Sequence, residues 1–248
     1  MEVSGAFKIG AGAVPNRVGQ RNFSRATPSE AGRFGVDYVK AHITKSVNLE
    51  ILLRGECPEE LKKQQLDLYR SADTYEKPVN EFTTDDFMRL TSAVLSEKMG
   101  NCGDLCMIAA RAIVENGYPH PVQLCSIKGT MEGLYLNHIF VRICGSPQDK
   151  KVQHHLIDPF LQMLSPSEQQ NLIGTTQPKT FAEPEYFEHL YCYATNDQTG
   201  KARLLSVPEI SDFFSGSVGT VSLTSDKKIQ FVSALSSELS KVRQDQRR

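Results

Sequence analysis

The sequence predicts an α+β fold in which N-terminal helices pack on a short antiparallel sheet, and three observations point to it. Apolar residues recur at three- and four-residue intervals between residues 30 and 116. Short runs rich in Val, Ile and Leu, separated by Gly, Pro, Asp and Lys, follow between residues 122 and 157. At 248 residues, 40% hydrophobic and 23% charged, the chain is long enough for one sizeable core.

Residues 1–29 are rich in Gly, Ala, Ser and Arg, lack apolar periodicity and are expected to form a flexible leader. Arg17, Arg21 and Arg25 repeat every four residues, the spacing of one face of a targeting helix, but Pro15 and Pro28 bracket the segment and Gly19 weakens it. Helical spacing begins over residues 30–48 with Phe34, Tyr38, Val39 and Ile43, and resumes over 58–70 with Leu61, Leu66 and Leu68. A third helix opens at Thr83 and Thr84 ahead of Asp85 and Asp86, a hydroxyl cap followed by carboxylates at the positive end of the helix dipole. Beyond Asn101 a fourth carries Leu105, Ile108, Ala109, Ala112 and Ile113, and Asn116-Gly117 ends it. Residues 122–127, 134–144 and 152–157 read as an antiparallel meander, with hairpin connections at 129–133 and 145–151. A helix capped by Ser165 and Pro166 follows, then a strand at 190–195 and a Ser-rich region. Ile229, Val232, Leu235, Leu239 and Val242 suggest an amphipathic terminal helix over 227–243. The division expected is a leader (1–29), a core domain (30–195) and a C-terminal extension (196–248).

Lys and Arg number 28 and Asp and Glu 29, a formal net charge of −1, so no global basic field points to nucleic acid. No apolar run approaches the roughly 20 residues of a membrane-spanning helix. Six scattered cysteines do not form a disulfide framework, and a reducing, cytoplasmic setting with free thiols is expected.

The informative stretch is Gly100-Asn101-Cys102-Gly103-Asp104, which sets a cysteine in the first turn of an apolar helix. Unpaired N–H groups and the helix dipole at such a position favour thiolate over thiol, and the Cys102 N–H can point at a developing oxyanion. A tight turn with a small buried side chain is the plainer alternative. Downstream, His138 stands near the start of an apolar strand and Asp158 at the end of the next. A nucleophilic thiol needs a base, and the base an acceptor on its second ring nitrogen; Cys102, His138 and Asp158 supply those types in that order.

Gly-Asn-Cys-Gly opening a helix, an Asn-His-Ile-Phe-Val strand and an Ile-Asp-Pro strand end together resemble the core of the transglutaminase-like branch of the papain-like cysteine enzymes. The resemblance covers residues 95–160. It implies a papain-like/transglutaminase-like core with Cys102 as nucleophile, His138 as general base and acid, and Asp158 as its orienter. It also implies a thioester intermediate and acyl transfer from an amide to water or an amine. No cofactor or metal is called for, and the implied partner is a protein or peptide substrate. Some bacterial effectors injected into host cells reuse this core, which would make the substrate a host protein; the Arg- and Ser-rich leader fits such delivery. The family's tryptophan beside the site has no counterpart here, since the chain contains no Trp, and a second oxyanion donor is not identifiable from the sequence. A papain-like peptidase and a catalytically silent binding module are the alternatives.

Other residues read more simply. Cys106, one turn from Cys102, lacks the spacing and ligands of a zinc site and reads as core. His154 and His155 alternate across a strand and read as a solvated edge, and His120, beside Pro119 and Pro121, reads as a loop residue. Loops 130–133 and 175–185 are the candidates for forming a substrate pocket.

Overall fold

The computed structural model describes residues 22–75, 77, 81–131, 133–146, 154–174, 191–196, 198–206, 215–223 and 229–232. Within them the chain forms α1 (Pro28–His42), α2 (Val47–Arg54), α3 (Glu59–Ser71), α4 (Thr84–Glu97), α5 (Cys102–Glu115), β1 (Val122–Met131), β2 (Leu134–Ile143), β3 (His155–Ile157), α6 (Pro159–Gln162), α7 (Pro166–Ile173), β4 (Tyr191–Asn196), β5 (Ala202–Ser206), β6 (Ser215–Leu223) and β7 (Ile229–Val232). This is an α+β architecture, with α5 lying between α1 and α4 and packed on β1 and β2.

The helices start where local chemistry satisfies their first N–H groups. Thr27 and Glu30 form a reciprocal capping box on α1, with Pro28 in the first turn. The segment predicted as one helix over 30–48 divides, because Ile43 turns to extended backbone and the chain crosses to residues 98–100. Thr44 and Lys45 donate to the Lys98 carbonyl, Gly100 donates back to Lys45, and Ser46 then caps α2. No proline or glycine marks this break, so only the tertiary pairing reveals it. The apolar face of α5 (Leu105, Ile108, Ala109, Ala112, Ile113) is buried against Phe34, Val39, Leu90, Val94, Leu124 and Val141. Burial of each large side chain there is worth about 1.5–3 kcal/mol.

All strand pairs are antiparallel, in the order β5-β4-β2-β1-β6-β7, with β3 also on β2. Strand β1 covers one edge of β2 along its whole length, from Val122↔Ile143 to Met131↔Leu134. The opposite edge is shared: β4 pairs residues 134–136 and β3 pairs residues 141–143. Residues 137–140 therefore lie in a split between two ladders, and His138 is among them.

Three expectations need correction. The fold starts before residue 30: Phe23 is buried edge-on against Phe34, its N–H donates to the Asn116 carbonyl, and Thr27 caps α1; residues 1–21 lie outside the described residues. The sheet does not end at residue 195, because β5 extends β4, and β6 pairs with β1 from Val122↔Leu223 to Thr130↔Ser215. Residues 229–232 are strand rather than helix; Ile, Phe and Val within four positions suit either state, and pairing with β6 selects the strand. Residues 233–243 of the expected helix lie outside the described residues.

Candidate active site

Cys102 is the first residue of α5, following Asn101 in extended conformation. The first N–H groups of a helix have no intrahelical acceptor, so the Cys102 N–H points out of the helix end beside its own side chain. Asp104, three residues after Asn101, accepts the Asn101 N–H at 2.8 Å. The Asn101 side chain is used elsewhere: its Oδ1 accepts from Ser46 Oγ at 3.2 Å and from the Asn48 N–H at 3.1 Å. The starts of α2 and α5 are thereby clamped side by side. Gly100 is required by this packing, since a Cβ there would lie 2.7 Å from Asp104 Cβ. A Cβ on Gly103 would lie 3.2 Å from Ile139 Cδ1. Close packing accounts for both glycines.

Asp104 is buried and meets only neutral donors. Tyr69 Oη donates to Asp104 Oδ2 at 2.6 Å, and Gln65 Nε2 donates to Tyr69 Oη at 2.8 Å. Burial pushes the Asp104 carboxyl up to about 6, against the lowering effect of the Tyr69 and Asn101 hydrogen bonds. Burial, with Asp104 beside it, also raises the Tyr69 phenol.

His138, Asp158 and Cys102 come together at the split in the sheet. Asp158 lies one step past the last β2–β3 pair, Val141↔Ile157. Its Oδ2 is 2.6 Å from His138 Nε2, while its Oδ1 accepts the Leu161 N–H and caps α6. One carboxylate thus fixes both a helix and the imidazole. Phe160, carried by that helix, presses edge-on against the His138 ring, with centroids 6.0 Å apart. The second ring nitrogen, Nδ1, is buried without a hydrogen-bond partner, and the Cys102 thiol is near enough to couple with the ring's ionisation. Burial alone would lower the His138 pKa. The charge and hydrogen bond of Asp158, aided by the Cys102 sulfur, override it and hold the imidazole up at about 10.

The sulfur has two further neighbours. Cys102 Sγ is 3.8 Å from the Asn137 carbonyl oxygen and 3.9 Å from Asn48 Nδ2. One turn later, Cys106 Sγ reaches the Ile139 carbonyl at 3.1 Å. Both carbonyls belong to residues 137–140, so the first turns of α5 sit where a strand would otherwise continue along β2. Cys102 is 5% exposed, His138 0% and Asp158 4%, so the three side chains are largely shielded.

Cys106, Cys125 and Cys192 are 0% exposed, Cys57 is 6% and Cys144 9% exposed, and none of the six cysteines is in a disulfide. Burial pushes the Cys57, Cys106 and Cys192 thiols up. No group of three His, Cys, Asp or Glu side chains among the described residues could hold a metal ion. His155 is not a solvated edge: α1 packs on it so closely that a Cβ on Gly32 would lie 2.6 Å from its ring, and burial pulls its pKa down to about 4. His120 sits edge-on against Tyr118. Loop 175–185 lies outside the described residues. Asn48, Tyr69 and Gln65 carry no sequence signal of a role here, whereas Asp104 at the third position after Asn101 fits a legible helix-start pattern. No helix of the described residues is long and apolar enough to cross a membrane. No family model, curated protein or solved structure matches the chain.

Proposed function

We propose that the chain is a cysteine-dependent acyl-transfer enzyme with Cys102 as nucleophile, His138 as acid and base and Asp158 as orienter, built on a core akin to the transglutaminase-like enzymes. The observation that carries this reading is the His138–Asp158 hydrogen bond of 2.6 Å, which leaves a buried Nδ1 free in the neighbourhood of a helix-terminal thiol. With its pKa held at about 10, the ring is imidazolium at neutral pH, its Nε2–H donated to Asp158 and its Nδ1–H available to the sulfur side. In the reactive form the thiol proton has passed to Nδ1. The thiolate then adds to an amide carbonyl, and a C–S bond forms as the carbonyl electrons move to oxygen. Collapse of this tetrahedral adduct breaks the C–N bond, and Nδ1–H protonates the departing nitrogen, leaving a thioester. Water or an amine, deprotonated by Nδ1, displaces the thiol and completes the transfer.

The confined sulfur favours a side-chain carboxamide over a backbone amide, because a side chain can enter end-on through a narrow opening while a cleaved peptide must lie across the nucleophile. Deamidation, transamidation or amide hydrolysis on a protein substrate is the reaction class. As part of the same proposal, the enzyme is an effector acting on a host protein.

Competitive labelling with iodoacetamide near pH 7, read by peptide mass spectrometry, tests the reading. Cys102 is expected to react at least about tenfold faster than the other five thiols, and His138→Ala to remove that advantage. An N-blocked glutaminyl dipeptide amide should release ammonia from its side chain. Cleavage of a protein substrate's backbone instead would select the peptidase, and uniform labelling with no product would select the binding module.

A further inference from the structure

One partner of the sulfur has no part in the triad. Asn48 belongs to α2, 54 residues before Cys102, yet its Nδ2 is 3.9 Å from Sγ. An asparagine in the first turn of a helix ordinarily turns to solvent or competes with the backbone for hydrogen bonds. This one is held. Its own N–H donates to Asn101 Oδ1, and so does the hydroxyl of Ser46, which in turn accepts the Leu49 N–H at 3.4 Å. Behind Asn101, its N–H is tied to Asp104, then Tyr69, then Gln65. A hydrogen-bonded chain across α3, α5 and α2 thus sets the backbone of Asn48, and the amide it carries points donors at the nucleophile.

We infer that the Asn48 carboxamide and the Cys102 N–H form the two donors of an oxyanion hole, an assignment that rests on the acyl-transfer reading of the site. Such a donor must lie about 3 Å from the oxygen that becomes charged, not from the ground-state sulfur. When a carbonyl carbon bonds to Sγ, its oxygen stands one atom further out. A nitrogen 3.9 Å from the sulfur is then within hydrogen-bonding reach of it. The Cys102 N–H approaches from the helix end and Asn48 Nδ2 from the neighbouring helix. During addition the carbonyl π electrons move to oxygen, both N–H groups donate to it, and on collapse the electrons return as the C–N bond breaks; no proton or further reactant is consumed at Asn48. The role that a tryptophan fills in the resembling family falls here to an amide on α2.

Two reactions of the same thiol separate this role from simple support of the cysteine. Alkylation by iodoacetamide displaces iodide from a saturated carbon and develops no oxyanion; acylation by p-nitrophenyl acetate does. In Asn48→Ala, turnover of the ester is expected to fall about 10²-fold, while alkylation of Cys102 stays within about twofold. Equal losses in both reactions would reduce Asn48 to a structural residue, and an unchanged ester rate would remove it from the oxyanion hole. Should the wild-type ester leave Cys102 unacylated, the acyl-transfer reading itself fails, and the donor with it.

Discussion

The starts of α4 and α5 use the same local device and reach opposite ends. Each carries a buried aspartate three residues after its cap, and each aspartate accepts the N–H of the capping residue. At α4 the carboxylate of Asp86 is met by Lys77, by Thr83 through both N–H and hydroxyl, and by Arg89 at 2.6 Å. These partners, Lys77 first, hold its carboxyl well below the usual range. At α5 Asp104 meets no cation, and burial holds its carboxyl well above that range. The first is an ion cluster at the surface, with Arg89 52% exposed along its side chain; the second is the interior anchor of Asn101 and, through it, of Asn48. Asp158 makes a third case, capping α6 with one oxygen and orienting His138 with the other. What a capping carboxylate does is decided less by the cap than by what stands on its other side.

The largest expected effect follows from Asp158, where cap and chemistry share one side chain. Asp158→Asn keeps an acceptor for Leu161 but removes the charge that holds His138 protonated. Ester turnover should drop by about 10²- to 10⁴-fold. The alkaline limb of its pH profile, expected near 10 in the parent, should move to lower pH, because burial is then opposed only by the Cys102 sulfur. A limb that stays in place would detach Asp158 from the histidine's ionisation. In stability the sign is the same: the raised folded pKa of His138 contributes fully below about 6.5 and is lost as pH rises through about 10.

Asp86→Ala removes a cap and the centre of an ion cluster, and should lower unfolding stability by about 2–3 kcal/mol in urea titration. Cys102 labelling should be unaffected, and a slowed rate would show that the two helix starts are coupled. Asp104→Asn preserves an acceptor for Tyr69 and Asn101, so its effect is expected in the pH dependence of stability. A carboxyl raised to about 6 contributes its stability fully below about 3.8 and loses it as pH rises through about 6. Between pH 4 and 7 the variant should therefore gain on the parent by about 2–3 kcal/mol. A constant difference across that range would place the ionisation elsewhere.

The parts of this arrangement that were legible in the sequence are those written locally. Apolar spacing and caps mark α4 and α5, with Cys102 at the start of α5, and the Val- and Ile-rich runs mark β1 and β2 with His138 on the latter. Asp158-Pro159 is legible as a strand end, although its second use as a helix cap is not. The remaining features are set by contacts remote in sequence. The break before α2 depends on Lys45 donating to the Lys98 carbonyl and accepting from Gly100, Asn48 reaches the sulfur across 54 residues, and the burial of His155 depends on Gly32. The strand at 229–232 depends on β6 offering an edge that four residues of sequence do not announce.

The split edge of β2 has a bearing on when Cys102, His138 and Asp158 can meet. During synthesis the thiol of Cys102 emerges long before Asp158, and β4, which bounds the opening on its other side, emerges later still. A nascent chain therefore carries Cys102 without its carboxylate-bound imidazole until β3 has docked, and on the proposed reading the thiol gains its base only when the sheet closes.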